Sequence, residues 1–219
     1  FCDSSIKEIM IPKRVNKISS GAFYQCSSLQ QINIPDDSEL QVIEEIAFEY
    51  SLIKSINIPS SLTKLKDNWL KSSVCKNFEV HIDVKNKVFK YFEDKIIVGK
   101  SNPESDDYDD LIFVRKDITK LTIPAFVKRI TPYSFCNCKN LDSIEFEENS
   151  KLQIIESRAF FLCSIESLTI PASVVSIKER ALEYANKLVE VNVDINNSQY
   201  KKQDGLIIGK TDPKNDDYD

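Results

Sequence analysis

Four glycines in 219 residues leave this chain nearly without the residue that lets a backbone close around a phosphate. No Gly-x-x-x-x-Gly-Lys loop or dinucleotide fingerprint is present, so nucleotide chemistry built on such loops is excluded. One histidine, His81, cannot supply a His-Glu-x-x-His zinc site, and no cysteine stands at a useful spacing from it for a nucleophile pair. There is no Gly-x-Ser-x-Gly elbow. No run of 18 apolar residues occurs, so no stretch reads as a membrane-spanning helix. Positive charge is also short: 29 Lys and Arg against 34 Asp and Glu give a net charge of −5. A phosphate-backbone partner needs a basic face, so nucleic acid is not an expected ligand. No cofactor or metal is expected. The chain lacks an initiator Met and a signal-peptide pattern. It starts in mid-pattern, with Phe1 aligning on Phe113, and reads as a segment of a longer protein, so the missing targeting signals say nothing about the parent.

What the chain has is repetition. The stretch Ile118–Leu141, ITKLTIPAFVKRITPYSFCNCKNL, joins an alternating strand pattern at Leu121 and Ile123 to a proline corner, then Val127, Ile130, Phe135 and Cys138. One such coil buries too little to fold alone, but stacked coils cover each other's faces. Phe23 to Phe48 is 25 positions and Phe48 to Leu70 is 22; Phe135, Phe160 and Leu182 repeat both steps. Strand cores precede them at Ile9-x-Ile11, Ile32-x-Ile34 and Ile56-x-Ile58, then Leu121-x-Ile123, Ile144-x-Phe146 and Leu168-x-Ile170. Both halves end in a variant coil, Val80-x-Ile82 and Val191-x-Val193. Seven residues from Ile6 to Leu40 have counterparts 112 positions on, from Ile118 to Leu152 (118 − 6 and 152 − 40). The expected organisation is two copies of one block, 1–110 and 111–219, in one continuous solenoid. The compact segment around each Phe is expected to form a short helical or 3-10 turn on the convex side.

Several local features complete the expectation. Cys26, Cys138 and Cys163 share a slot three after the Phe, filled by Ser51 in the second coil, which reads as a small buried corner. Thiols are expected there. Stacking brings Cys138 near Cys163, yet a strand spacing alone does not set the geometry of a disulfide. Trp69, in the slot of Ala22, is expected to be partly exposed or to cap the irregular coil that follows. Lys95–Lys100 and Leu111–Arg115 read as hairpin arms around an acidic loop with Glu104, Asp106, Asp107, Asp109 and Asp110. Without a Ca²⁺-loop spacing, that loop reads as a solvated, self-repelling tip. The second block repeats the first arm at Leu206–Lys210 with its partner strand missing, a bare edge through which copies could associate. Asn196-Asn197-Ser198 is a glycosylation sequon, meaningful only for a secreted chain in a eukaryote.

The motif Ile9-x-Ile11-Pro12-x-x-Val15-x-x-Ile18-x-x-x-Ala22-Phe23-x-x-Cys26-x-x-Leu29 resembles the BspA-like (Treponema pallidum type) class of leucine-rich repeats. Asp204-Gly205-Leu206-Ile207 is similar to the strand pair that interrupts such arrays; Glu93-Asp94-Lys95-Ile96 departs from it by lacking the Gly. The resemblance implies an α/β, β-dominated, right-handed leucine-rich-repeat solenoid with a β-hairpin ending each block. It further implies surface display or secretion and adhesion to protein or glycoprotein ligands of host cells, matrix or other microbes, with no enzymatic activity. An intracellular scaffold using the same fold is the alternative. In either case the candidate ligand face follows from strand alternation, which aims the residue between two core positions outward. That row is Met10, Asn33, Asn57, His81, Thr122, Glu145, Thr169 and Asn192, of which the last seven excluding Met10 are the candidate contacts. It is polar and poor in the Trp, Tyr and Arg anchors that usually carry affinity.

Overall fold

Where apolar and polar residues alternate, the chain forms strands, and Pro12, Pro35, Pro59, Pro124 and Pro171 stand just past five of the eight strands of the wider ladders. A computed structural model describes residues 1–71 and 78–210. Cys75 and the second Asp-Asp-Tyr-Asp run at 216–219 lie outside the described residues. The chain divides into two compact units, Phe1–Tyr108 with Ile112–Asp117, and Asp109–Leu111 with Ile118–Asp219.

In the first unit, Glu8–Met10, Gln31–Asn33, Ser55–Ile58 and Glu79–Ile82 make one parallel sheet, one strand per coil. A second, narrower ladder joins Lys17–Ile18, Val42–Ile43 and Lys64–Leu65. The second unit repeats both. Lys120–Ile123 pairs with Ser143–Phe146, and Ser167–Ile170 with Glu190–Val193. Asp110 and Leu111 open its narrow ladder, followed by Arg129–Ile130, Ile154–Ile155 and Ser176–Ile177. Ile32, Ile34, Ile56 and Ile58 are at most 4 % exposed, so the alternation read from sequence is the inside–outside alternation of the coil.

The Phe slot forms the spine of each unit. Phe1, Phe23 and Phe48 stack in sequence with centroids 5.5 and 5.4 Å apart. Phe135 and Phe160 stack at 4.6 Å, and both are fully buried. Trp69 corrects its expectation of partial exposure: it is only 3 % exposed and continues the spine edge-on to Phe48 at 6.4 Å. Its other contact is Phe113 at 6.5 Å, so the indole does close the first unit's stack against the hairpin region. The expected corner slot is real. Cys26, Ser51, Cys138 and Cys163 are at most 2 % exposed. The hydroxyl of Ser51 donates to the Phe48 carbonyl, and the thiol of Cys163 to the Cys138 carbonyl at 3.7 Å. Cys26, Cys138 and Cys163 are thiols, not half-cystines.

The short helical or 3-10 turns do not form; among the described residues there is no helix. The cause is a left-handed residue on each side of the Phe. Two positions before it stand Gly21, Ile46, Asn68, Tyr133, Arg158 and Arg180, all with φ between 52° and 67°. Two positions after it stand Gln25, Tyr50, Asn137, Leu162 and Tyr184, with φ between 56° and 60°. A right-handed helix cannot run through either site. Instead, alternate N–H groups divide their work. Those of Ala22, Tyr24 and Cys26 close local turns, whereas those of Phe23 and Gln25 donate to Ala47 and Glu49 of the next coil, both at 2.8 Å. The same pattern links Phe135 and Asn137 to Ala159 and Phe161. The turn side is thus a third inter-coil ladder. Only Gly21 suits its conformation without cost, and Ile46 suits it least, since a β-branched side chain at positive φ is an outlier. Ile46→Asn, which copies Asn68 one coil on, is expected to raise stability by about 0.5–1 kcal/mol, read as a higher urea midpoint at unchanged m. A lower midpoint would contradict strain at that site.

The block ends also differ from expectation. In the first unit Phe89–Phe92 and Ile96–Gly99 form a tight antiparallel hairpin, and Ile112–Val114 lies on the other edge of the second strand. The acidic loop is a solvated tip only in part. Asp106 and Asp107 are exposed, but Asp109 and Asp110 are 6 % and 5 % exposed. Asp109 sits 3.4 Å from the Lys128 ammonium, and Asp110 takes a two-pronged bond from the Arg129 guanidinium. Tyr108 anchors the loop in the first unit, with the Lys90 ammonium 4.1 Å over its ring. Close by, Arg115 grips Asp117 with two N–H groups and holds that carboxyl below its ordinary range. In the second unit the arm Leu206–Gly209 pairs along one edge with Tyr200–Gln203, the counterpart of Phe89–Phe92, and no described strand pairs with its other edge. Residues beyond 210 are outside the described set.

One device fixes both variant coils and was not visible beforehand. Asn86 is 6 % exposed, and its amide donates to the carbonyls of Pro59 and Leu62 at 2.8 and 2.9 Å. Its carbonyl oxygen accepts from the N–H groups of Val88 and Phe89. Asn197 does the same with Pro171, Val174, Gln199 and Tyr200. Each Asn follows an Asp by three, and Asp83 and Asp194 cap the turn by accepting from Lys85 and Asn196.

Candidate functional site

The strands present their outward residues in aligned rows. Glu8 pairs with Gln31, Gln31 with Ser55 and Ser55 with Glu79; one step along, Met10 pairs with Asn33 and Asn57 with His81. In the second unit Thr122 pairs with Glu145, and Thr169 with Asn192. The seven candidate residues therefore lie on the strand faces, as alternation predicts. Asn57, His81, Thr122, Glu145 and Thr169 are exposed, while Asn33 and Asn192 are half-buried.

Their chemistry is not uniform. Asn33 donates to Glu8 at 2.7 Å and accepts from Gln31, so its amide is satisfied within the chain. Asn192 accepts from Lys202, whose ammonium also lies 3.6 Å from Glu190. His81 lies 3.7 Å from Glu79, and both are well exposed. Among the described residues Asn57, Thr122, Glu145 and Thr169 have no side-chain hydrogen bond, so their donors and acceptors face water.

A groove borders the strand face at the same place in each unit. In the second unit it holds about 610 Å³ and runs from Glu145 past Glu147 and Glu148 to Thr169, Ser173 and Asp194. In the first it holds about 470 Å³, lined by Asp36, Asn57, Pro59, His81, Asp83 and Lys85. Asp36 and Glu148, Asn57 and Thr169, and Asp83 and Asp194 are counterparts. The lengthened corners of the second coils supply one wall. There Glu147 accepts from the Ala125 N–H at 2.7 Å, which shapes the corner. Among the described residues no cation lines the second groove, whereas Lys85 tempers the first. Beside each stands a bare aliphatic side chain, Val84 at 98 % and Ile195 at 97 % exposed.

The anchor-type residues missing from the strand face appear on the turn side. Tyr133, Phe161 and Tyr184 meet edge to face at 5.8 and 5.4 Å. Arg158 joins them through Tyr133 and through Glu183 at 2.6 Å, a pairing that raises the guanidinium pKa. Nothing in the linear sequence marks this row, since the three rings occupy three different positions relative to the Phe slot. Among the described residues no group of three or more His, Cys, Asp or Glu could hold a metal ion, and no helix is long and apolar enough to cross a membrane.

Comparison with known proteins agrees with this architecture. The crystal structure of the pneumococcal vaccine antigen PcpA superposes with a TM-score of 0.69 at 19 % identity, over 89 % of this chain and 52 % of that one. A leucine-rich-repeat protein from Eubacterium ventriosum gives 0.67 at 22 %, over 86 % and 54 %. A leucine-rich cell surface protein from Faecalibacterium prausnitzii gives 0.56 at 21 %, over 86 % and 60 %. The chain thus matches little more than half the length of each, and at these identities the likeness is one of fold. A comparison with curated protein sequences returns no significant match. The family model for the BspA type leucine rich repeat region matches six copies, over residues 1–98 and 108–203. With stacked coils, a polar strand face and a family match over most of its length, the chain belongs to the BspA-type leucine-rich-repeat family.

Proposed function

We propose that this chain is a non-catalytic protein-binding module of a cell-surface or secreted parent, with adhesion to host-cell or matrix proteins or glycoproteins as its role. The observation that carries this reading is the duplication of rung and groove: polar strand-face residues border an equivalent concavity in each unit. Within either unit an extended segment of a partner can hydrogen-bond to the strand face, at Asn57 in the first or at Thr122 and Thr169 in the second, while placing a side chain in that unit's groove. The carboxylates of Glu145, Glu148 and Asp194 favour a Lys or Arg there, which sets specificity and encounter rate more than raw affinity. On this reading blocks 1–110 and 111–219 act as two copies of one binding block. The leucine-rich cell surface protein of F. prausnitzii shares the fold and supports the location.

The turn-side row of Tyr133, Phe161, Tyr184 and Arg158 favours a second docking face, because aromatic and Arg side chains dominate binding hot spots. Capture from a host-cell surface extract separates the two. Glu145→Lys with Glu148→Lys is expected to weaken capture about tenfold at low salt, and less as salt screens the charges. Unchanged capture with that variant, together with loss in Tyr184→Ala, would move the site to the turn side.

A further inference from the structure

We propose that Asn196 is an N-glycan acceptor, and that the sugar is added before the turn around it closes. The inference rests on export of the parent, the reading given above, in a eukaryotic host. Asn196-Asn197-Ser198 is the one Asn-x-Ser/Thr sequence in the chain, and such sequons mark surface loops of secreted proteins. Asn196 is exposed, and among the described residues its side-chain amide makes no hydrogen bond; only its backbone N–H is engaged, by Asp194 at 2.8 Å.

The middle residue of the sequon fixes the timing. Asn197 is 7 % exposed and bonded to four backbone groups, so the folded turn cannot open into an extended acceptor without breaking all four. The acceptor is therefore available only while the chain is unfolded, during or just after its synthesis. The transfer needs a lipid-pyrophosphate-linked oligosaccharide and its transferase. The Asn196 amide nitrogen attacks the anomeric carbon, and the carbon–oxygen bond to pyrophosphate breaks. The lipid pyrophosphate leaves with the electron pair, and the amide gives one proton to the enzyme's base. No oxidation or reduction is involved.

The position gives the glycan two effects. It covers Ile195, otherwise 97 % exposed, and it stands beside Asp194 at the rim of the second unit's groove. The equivalent residues of the first unit are Lys85, Asn86 and Lys87, with no sequon, so Val84 stays bare and the first groove stays open. Two grooves that share a backbone thereby become unequal.

The test is to secrete the full chain from eukaryotic cells behind a supplied leader, so that the parent's own location does not enter. Peptide mapping should find a glycan on Asn196 that amidase treatment removes with conversion to Asp, and both Asn196→Gln and Ser198→Ala should lose it while still being secreted. A secreted, folded chain with Asn196 unmodified would overturn the acceptor assignment. In vitro, a transferase with its lipid-linked donor should modify a synthetic 190–203 peptide and leave the folded chain untouched. Equal modification of both would overturn the ordering.

Discussion

Phe135→Ala is expected to lower the unfolding free energy by about 3–5 kcal/mol. The ring is fully buried, stacked on Phe160 at 4.6 Å, and its residue is tied by backbone bonds to Ala159 and to Cys138. Truncation removes the transfer energy of the ring and leaves a cavity that the coils above and below cannot fill, because backbone ladders fix their spacing. Since each coil is stabilised chiefly by its neighbours, the damage spreads to adjacent coils. Urea titration should therefore show a lower midpoint together with a lower m, as part of the unit melts early. Phe135→Leu copies Leu70 and Leu182 of the same slot and should cost less than half as much. A loss below about 1 kcal/mol for the alanine variant would remove the Phe slot from its role as spine.

Asn86 offers the second large effect and a sharper chemical signature. Asn86→Ala deletes four hydrogen bonds and leaves buried backbone N–H and C=O groups without partners, a loss expected at about 3–5 kcal/mol. Asn86→Asp is nearly isosteric, yet it should be no better. The carboxylate keeps the bonds from Val88 and Phe89 but turns an acceptor toward the carbonyls of Pro59 and Leu62. Protonation restores a donor, so the deficit of the Asp variant should shrink as pH falls through its carboxyl range, measured by urea midpoints at pH 4 against pH 7. An Asp variant as stable as wild type at neutral pH would show that the two carbonyl contacts contribute nothing.

The parts of this fold that were legible in the sequence are those a period can reveal. Ile32, Ile56, Leu121 and Leu168 recur at fixed steps with a polar residue after each, and that alone gives the strands, their register and the outward row. Backbone conformation left no such trace. Ile46, Tyr50 and Arg158 are not residues a reader places at positive φ, and only Gly21 hinted at the left-handed positions that replace the expected helical turn. Buried polar groups were hidden for a different reason. Asn86, Asp109 and Asp110 sit in polar runs that look solvated until their partners, about 20 or more residues away in sequence, come into view. For Trp69 the choice between exposure and capping stayed open, because slot analogy with Ala22 says nothing of which way a large ring will turn. The strand-face row was legible as geometry, whereas the grooves and the aromatic row arise from corners and turns that have no fixed spacing.

Nearly all the pairings within a unit join residues about two dozen positions apart, whether through the strand rows, the narrow ladders or the turn side. A chain leaving the ribosome therefore never has to wait for a distant segment: each emerging rung meets a finished one that already displays the donors and acceptors it needs. Such sequential templating keeps loop-closure cost small at every step. It lets translation itself set the order of assembly, from the first coil of a unit toward its last.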